Sequence, residues 1–237
     1  MAEVEKDGSV SDGLSIIVPK RRRMDDVKTD RPNRNMNMAD DIMTEYPNED
    51  PLDIMTTLSW NYRGMGLPRK VQFLFDVVRQ EQPIFVFLCE TMSKRSRLEW
   101  VKNKLGYEGL ITVDPIGKSG GLALMWTEKD QAELLSLSQN HIDVKVCLTD
   151  MMEWRLTGFY GEPDRSKRRS TWNLLRNLAR DANLPWCLQG DLNNVSSTED
   201  KRGGEPYPEW LINGYNEAVH DAILVDLELL GHPFTWE

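Results

Sequence analysis

The sequence predicts an α/β fold built on two sheets. Three observations predict it. Short apolar runs such as Ile84 to Cys89 alternate with stretches of helical periodicity such as Pro68 to Gln82. The middle of the chain, from Gly109 to Phe159, reads as one short strand after another, which implies antiparallel pairing and a second sheet. Several apolar runs end on an acid, an amide or a phenol, the layout of a site carried on the rim of a packed scaffold.

In order, Met55 to Trp60 reads as a strand. Pro68 to Gln82 is an amphipathic helix, with Pro68 in its first turn and Val71, Leu74, Phe75 and Val78 at helical spacing. Ile84 to Cys89 is apolar throughout, so it is a buried strand. Ser93 is placed to cap a basic helix reaching Leu105, with Leu98, Val101 and Leu105 facing inward. Gly109 to Val113, Gly121 to Trp126, Glu133 to Leu137, Ile142 to Leu148 and Glu153 to Phe159 follow as strands. Ser166 to Ala182 is a helix with Trp172, Leu175 and Leu178 inward, and Trp186 to Leu188 is a strand running to Gly190. A loop rich in Pro and Gly leads to a short helix, Glu209 to His220. Val225 to Leu227 and Phe234 to Trp236 are short strand candidates.

The chain has 237 residues, enough for one sizeable domain and a tail. Residues 1–53 read as a disordered tail, poor in aromatic and periodic apolar residues, and residues 54–237 as the folded domain. Within the tail, Leu14 to Val18 is a local strand or docking segment. Lys20-Arg21-Arg22-Arg23 is a basic cluster of the kind importins read, or simply a solvated charge run. No apolar run approaches the ~20 residues that span a bilayer, and the N-terminus lacks the apolar core of a signal peptide. The expectation is a nuclear or cytoplasmic protein. Cys89, Cys147 and Cys187 lie in apolar runs without CxxC spacing and read as buried free thiols.

Net charge is -9. The tail holds 8 Lys/Arg and 13 Asp/Glu, the remainder 21 and 25. The folded part is therefore mildly acidic and carries no DNA-coating basic surface. Any DNA binding must come from a local patch and a metal ion.

The candidate site residues are Asn61, Glu90, Tyr160, Asp191 and Asn193. Asn61 ends a strand and could simply be a turn amide. Glu90 ends a strand with no other charge from Ile84 onward, an expensive place for an unpaired carboxylate. Tyr160 could be packing with a wet hydroxyl. Asp191 and Asn193 are two apart and point the same way in extended chain, unless they form an Asx turn after Gly190. Two carboxylates, two amides and a phenol suit one hard divalent cation and one phosphate oxyanion.

Four motifs carry a resemblance: Ser59-Trp60-Asn61-Tyr62-Arg63-Gly64, Phe87-Leu88-Cys89-Glu90-Thr91, Gly158-Phe159-Tyr160-Gly161 and Gly190-Asp191-Leu192-Asn193. In this order they resemble the endonuclease/exonuclease/phosphatase family. Trp154 to Pro163, Lys201-Arg202-Gly203-Gly204 and Pro233-Phe234-Thr235-Trp236 are similar to the endonuclease domain of plant non-LTR retrotransposons. The resemblance implies a DNase I-like sandwich of two sheets with helices on the outer faces. It implies Mg2+ or Mn2+ held by Glu90 with Asn61, and Tyr160 on the scissile phosphate. Asp191 would orient or deprotonate the attacking water, and Asn193 would contact the phosphate and position Asp191. It implies a DNA-nicking endonuclease; a non-catalytic remnant with weak nucleic-acid or protein binding is the alternative. A lipid-phosphate phosphatase of the same family is disfavoured by the segment from Gly158 to Pro163.

Two departures stand out. Arg63 occupies a position where abasic-site nucleases often carry an acid. The family's closing Ser-Asp-His motif is absent before Glu237, so C-terminal strands and the active-site histidine are expected to be missing. His141, His220 and His232 do not lie in that context. Arg63, with Arg165, Lys167, Arg168 and Arg169 at a helix start and Lys201 and Arg202 in the loop after Asp191, forms the candidate DNA-binding set.

Overall fold

The computed structural model describes residues 14–17, 56–64, 68–117, 119–180, 183–201 and 205–227, the first four as backbone only. Two sheets face each other, and helices cover the outer face of each. The first sheet contains β1 (Leu14–Ile17), β2 (Thr57–Asn61), β3 (Phe85–Cys89), β4 (Gly109–Val113) and β5 (Leu122–Trp126), in the order β1-β2-β3-β5-β4. The second contains β6 (Ala132–Ser138), β7 (His141–Val146), β8 (Trp154–Tyr160) and β9 (Trp186–Asp191), in chain order. The helices are α1 (Pro68–Glu81), α2 (Arg95–Leu105), α3 (Arg168–Arg180) and α4 (Glu209–Asp221).

All strand pairs but two are antiparallel. The exceptions are β2 with β3, joined through α1, and β8 with β9, joined through α3. A parallel pair needs such a crossover, and here each is one helix long. The fold thus contains two strand–helix–strand units, one in each sheet, which the sequence does not reveal as a repeat. A parallel pair sends both of its strand C-termini to the same edge of the sheet. That property places the site.

Three apolar clusters fill the layers. Phe85, Phe87, Cys89, Leu122 and Leu124 from the first sheet meet Ile142, Val144, Val146, Leu156 and Tyr160 from the second. On the outside of the first sheet, Leu58, Trp60, Val86 and Leu88 pack under Val71, Leu74 and Val78 of α1 and Leu98 and Val101 of α2. On the outside of the second, Phe159 packs under Trp172, Leu175 and Leu178 of α3 and Leu211 and Ala218 of α4. The alternation along β3 explains why its run is apolar throughout: its two faces serve two different cores.

The spacing of the two sheets depends on a glycine. Gly158 lies where a Cβ would meet the Phe87 ring at 2.2 Å. The outer face of the second sheet also carries a buried charge pair. The Arg155 Nε–H donates to both oxygens of Asp143, at 2.8 and 3.0 Å, and Arg155 Nη1 reaches the Leu178 carbonyl of α3 at 2.6 Å. Thr157 Oγ1 donates to Asp143 Oδ1 at 2.6 Å, and the indole of Trp186 donates to Thr157 Oγ1 at 2.8 Å. This network ties β7, β8, β9 and α3 into one block.

The expected elements from Pro68 to Asp221 form with boundaries moved by a few residues. The helix expected from Ser93 begins at Arg95 after Lys94, with no side-chain cap. A 3-10 turn, Arg165–Lys167, precedes α3, because the Asp164 carboxylate accepts from Ser166 N and tightens the entry. Val225 to Leu227 is not a strand: it pairs with none of the described strands, and Val225 and Leu227 are exposed. Phe234 to Trp236 lie outside the described residues, as does the expected tail apart from Leu14–Ile17. That segment pairs antiparallel with β2, from Leu14 opposite Trp60 to Ile17 opposite Thr57. All three cysteines are free, and Cys89 is buried. Cys147 and Cys187 are only partly buried, because Cys147 lies just past the end of β7 and Cys187 on the outermost described strand of its sheet.

Two substitutions test this packing. Gly158→Ala is expected to lower stability by about 1–3 kcal/mol through overpacking against Phe87. In a double-mutant cycle, Phe87→Leu should recover part of that loss in the melting temperature. Asp143→Ala strands the buried Arg155 guanidinium and should cost about 3–5 kcal/mol in chemical denaturation.

Candidate functional site

β2 and β9 face each other across the sheets along a polar seam. Thr57, Ser59 and Asn61 alternate with the outward Leu58 and Trp60, and all three polar residues are buried. Thr57 Oγ1 donates across the seam to Gln189 Oε1 at 2.7 Å. At its open end the seam closes on Asn61, whose side-chain amide nitrogen donates to Glu90 Oε1 at 2.8 Å and to Asp191 Oδ2 at 2.7 Å. One amide thus holds a carboxylate from each sheet.

Tyr160 ends β8 and donates its hydroxyl to the same Glu90 oxygen at 2.9 Å. Burial, then the charge of Glu90 beside it, push the Tyr160 phenol well above its ordinary value. The phenol is therefore a neutral hydrogen-bond donor near neutral pH and not a base. Asn193 N donates to Asp191 Oδ1 at 2.8 Å, an Asx turn, while the Asn193 side chain donates to the Gly161 carbonyl at 2.8 Å. All five expected residues converge on one rim. Asn193 positions Asp191 through its backbone, and its amide nitrogen is occupied by Gly161.

The backbone at this rim is held in uncommon conformations. Glu90 has φ 52° and Asn193 φ 53°, both left-handed. Asparagine tolerates that region; glutamate is strained there. The strain is held in place by Gly64 N to Glu90 O at 2.7 Å and Thr91 N to Gly121 O at 3.1 Å. Gly190, at φ 138°, brings β9 so close to β8 that a Cβ would meet the Phe159 carbonyl oxygen at 1.9 Å. Only glycine allows this approach.

The donor set fits a hard cation. It offers two carboxylates on one rim and a buried Asn61 Oδ1 with no hydrogen-bond partner. Among the described residues, no group of three or more His, Cys, Asp or Glu is arranged to hold a metal ion. Mg2+ is commonly held by one or two carboxylates with water and substrate phosphate completing its sphere, so a light set suffices.

The basic candidates divide. Arg63 is exposed on the loop two residues beyond Asn61. Arg165 and Arg169 are exposed on the entry to α3. Lys167 pairs with Asp164 at 3.5 Å. Arg168 is buried, with Nε donating to the Glu162 carbonyl and Nη1 to the Tyr207 hydroxyl, so its work is structural. Lys201 Nζ donates to the Glu205 carbonyl at 2.5 Å, and Arg202 lies outside the described residues.

Sequence reading missed one supporting residue. Asn140, in the turn between β6 and β7, clamps Tyr160 from both sides: its carbonyl accepts Tyr160 N at 2.7 Å and its side chain donates to Tyr160 O at 2.9 Å. An asparagine in a hairpin turn signals only the turn. The next residue, His141, is buried between Ser136 Oγ at 2.9 Å and Ser138 Oγ at 2.7 Å, with Asp143 and Arg155 beside it. Neither His141 nor His220 is hydrogen-bonded to Glu90 or Asp191, and His232 lies outside the described residues.

No family model matches the chain, and no curated relative matches it. An AP endonuclease from Archaeoglobus fulgidus superposes with TM-score 0.54 at 13% identity, over 69% of each chain. The AP endonuclease LMAP from Leishmania major gives 0.58 at 13% identity, over 73% of this chain and 68% of that one. The endonuclease domain of TRAS1, a telomere-specific non-LTR retrotransposon, gives 0.50 at 14% identity, over 70% and 71%. This is the DNase I-like fold. In this DNase I-like sandwich the five site residues occupy the rim formed by the C-terminal ends of β2, β3, β8 and β9.

The hairpin behind Tyr160 gives a pH test. Burial lowers the His141 pKa from 6.5; Asp143 opposes the shift and Arg155 reinforces it. The unfolded chain therefore binds a proton here more readily than the folded one. Stability falls as pH drops below 6.5 and the loss is complete below the lowered folded value. Between about pH 7 and about pH 5, the melting temperature of His141→Gln should fall less steeply than that of the unchanged chain.

Proposed function

We propose that this chain is a divalent-metal-dependent phosphodiesterase acting on nucleic acid, of the endonuclease/exonuclease/phosphatase family. The finer reading is a DNA-nicking endonuclease of retrotransposon type. The observation that carries it is the Asn61 amide bonded at once to Glu90 and Asp191, one carboxylate from each sheet. Two carboxylates held together on one nitrogen repel each other, and a cation on the same rim relieves that repulsion. The motif resemblance, and the fold shared with the two AP endonucleases and the TRAS1 domain, support the same reading.

Glu90 and Asn61 would hold Mg2+ or Mn2+, which supplies charge neutralisation at a phosphoryl oxygen. Asp191 is the acceptor for a proton of the attacking water, kept in orientation by Asn61 on one oxygen and Asn193 N on the other. Tyr160, a neutral donor, turns its hydroxyl from Glu90 to a phosphate oxygen when substrate arrives. Phosphoryl transfer demands in-line placement and charge stabilisation more than covalent steps, which these groups can meet. Nuclear placement through Lys20 to Arg23 belongs to the same reading.

A second reading is a non-catalytic remnant. It is favoured by the lack, among the described residues, of a histidine bonded to the site carboxylates. Losing a general acid or base of this kind typically costs ~10²–10⁴-fold. No helix among the described residues is long and apolar enough to cross a membrane.

The purified chain is expected to nick supercoiled DNA slowly in Mg2+, and not in EDTA. Glu90→Gln should lower the rate about 100-fold or more, with an unchanged melting temperature. Nicking that survives Glu90→Gln would refute the site. No nicking in Mg2+ or Mn2+ would favour the remnant.

A further inference from the structure

A cationic, aromatic ridge leaves the site on its Tyr160 side. The chain passes from Tyr160 through Glu162, whose carbonyl accepts from Arg168 Nε at 3.1 Å, and Arg168 in turn donates to the Tyr207 hydroxyl. Above this buried link lie two exposed arginines and two rings. The Arg165 guanidinium is 5.3 Å from the Tyr207 ring centroid, and that of Arg169 is 6.0 Å from the Trp210 centroid. Trp210 is 48% exposed, and its ring meets the largely buried Trp172 edge-on at 6.2 Å.

Arg97 on α2 likewise lies over a ring, 4.3 Å from the Trp100 centroid. Arg79, Arg95, Arg155 and Arg176 each pair with a carboxylate. Among the described residues, Arg165 and Arg169 make no such pair and lie against aromatic rings. The chain is acidic overall, at -9, and Glu162, Asp164, Glu205 and Glu209 lie on the same segments, yet among the described residues none of them pairs with Arg165 or Arg169. Trp172 and Arg169 lie against the Trp210 ring, while nearly half of its surface stays in water. A half-exposed ring beside two cations combines the two elements that single-stranded nucleic acid requires, a stacking platform and a track for phosphates.

We propose that Trp210, with Arg165 and Arg169, forms a subsite for an unpaired nucleotide flanking the scissile phosphate. The base stacks on Trp210 and the adjoining phosphates lie against the two guanidiniums. The inference rests on the nucleic-acid phosphodiesterase reading and deepens it: the preferred substrate has an unpaired or frayed segment next to the cut. In a duplex the base faces are buried in the stack, so Trp210 has nothing to engage.

The test is fluorescence anisotropy of the full chain in EDTA, where cleavage is absent. The probes are a labelled thymidine oligonucleotide and a labelled duplex of the same length. Single-strand binding should be the tighter, and Trp210→Leu should weaken it about tenfold while changing duplex binding little. Trp210→Tyr, which keeps a stacking ring, should retain most of the affinity. Arg165→Ala with Arg169→Ala, which leaves the core untouched, should weaken both probes and flatten the salt dependence of single-strand binding by roughly 1.4 in log–log slope. Melting temperatures establish that each variant is folded; if Trp210→Leu is not, Trp210→Tyr and the arginine pair decide. Unchanged single-strand affinity in folded Trp210→Leu would overturn the subsite. So would equal losses for both probes, which describe a general cationic surface, or no oligonucleotide binding by the unchanged chain, which leaves the ridge to a protein partner. Single-strand binding through Trp210 without Mg2+-dependent nicking would sink the enzymatic reading and leave the subsite standing. Nicking that depends on Glu90 but not on Trp210 would do the reverse.

Discussion

Everything at this rim depends on one side-chain amide. Asn61 is buried, and its nitrogen has two hydrogens, which it gives to Glu90 and Asp191. Glu90 follows β3 of the first sheet and Asp191 ends β9 of the second. The bonds are charge-assisted and partly shielded from water, so they are stronger than neutral ones. They can form only if the two sheets stand at one fixed separation and β2 and β9 run alongside each other. Phe87 against Gly158 sets that separation, and Thr57 with Gln189 sets the alignment. The two parallel pairs do the rest by bringing four strand ends to one edge.

Much of this was legible in the sequence, for physical reasons. Glu90 stood out because a charge at the end of an apolar strand is costly without a partner, and its partners are Asn61 and Tyr160. The faces of α1, α2 and α3 were legible because helical periodicity survives any tertiary arrangement. What was not legible is long-range. Asn140 reads as a turn residue, and only the pairing of β7 with β8 puts it against Tyr160. Arg168 reads as one of a run of exposed cations. Its burial follows from the docking of Tyr207, 39 residues away. The spacing of Arg165, Lys167, Arg168 and Arg169 gave no sign that one faces inward while two lie on rings. Val225 to Leu227 misled because β propensity alone makes no strand without an edge to pair with.

The acidic balance of the chain also has a local explanation. Burying one carboxylate, Asp143, required a buried arginine, and that cation is unavailable to any ligand. Among the described residues the two site carboxylates form no ion pair; they are bound by amides and a phenol instead. The structure therefore treats its acids in two ways. The structural one is neutralised in place by a cation, and the site pair is held by neutral donors.

The left-handed backbone at Glu90 has a further consequence. A glycine would sit there without strain, and an asparagine with less than a glutamate. The chain instead keeps a residue whose backbone prefers another region, at a position where its carboxylate meets both Asn61 and Tyr160. Stability and the presence of the acid are in opposition at this one residue. Selection for thermal robustness alone would favour removing the carboxylate, and a variant library sorted only on folding would erase the site while improving the scaffold.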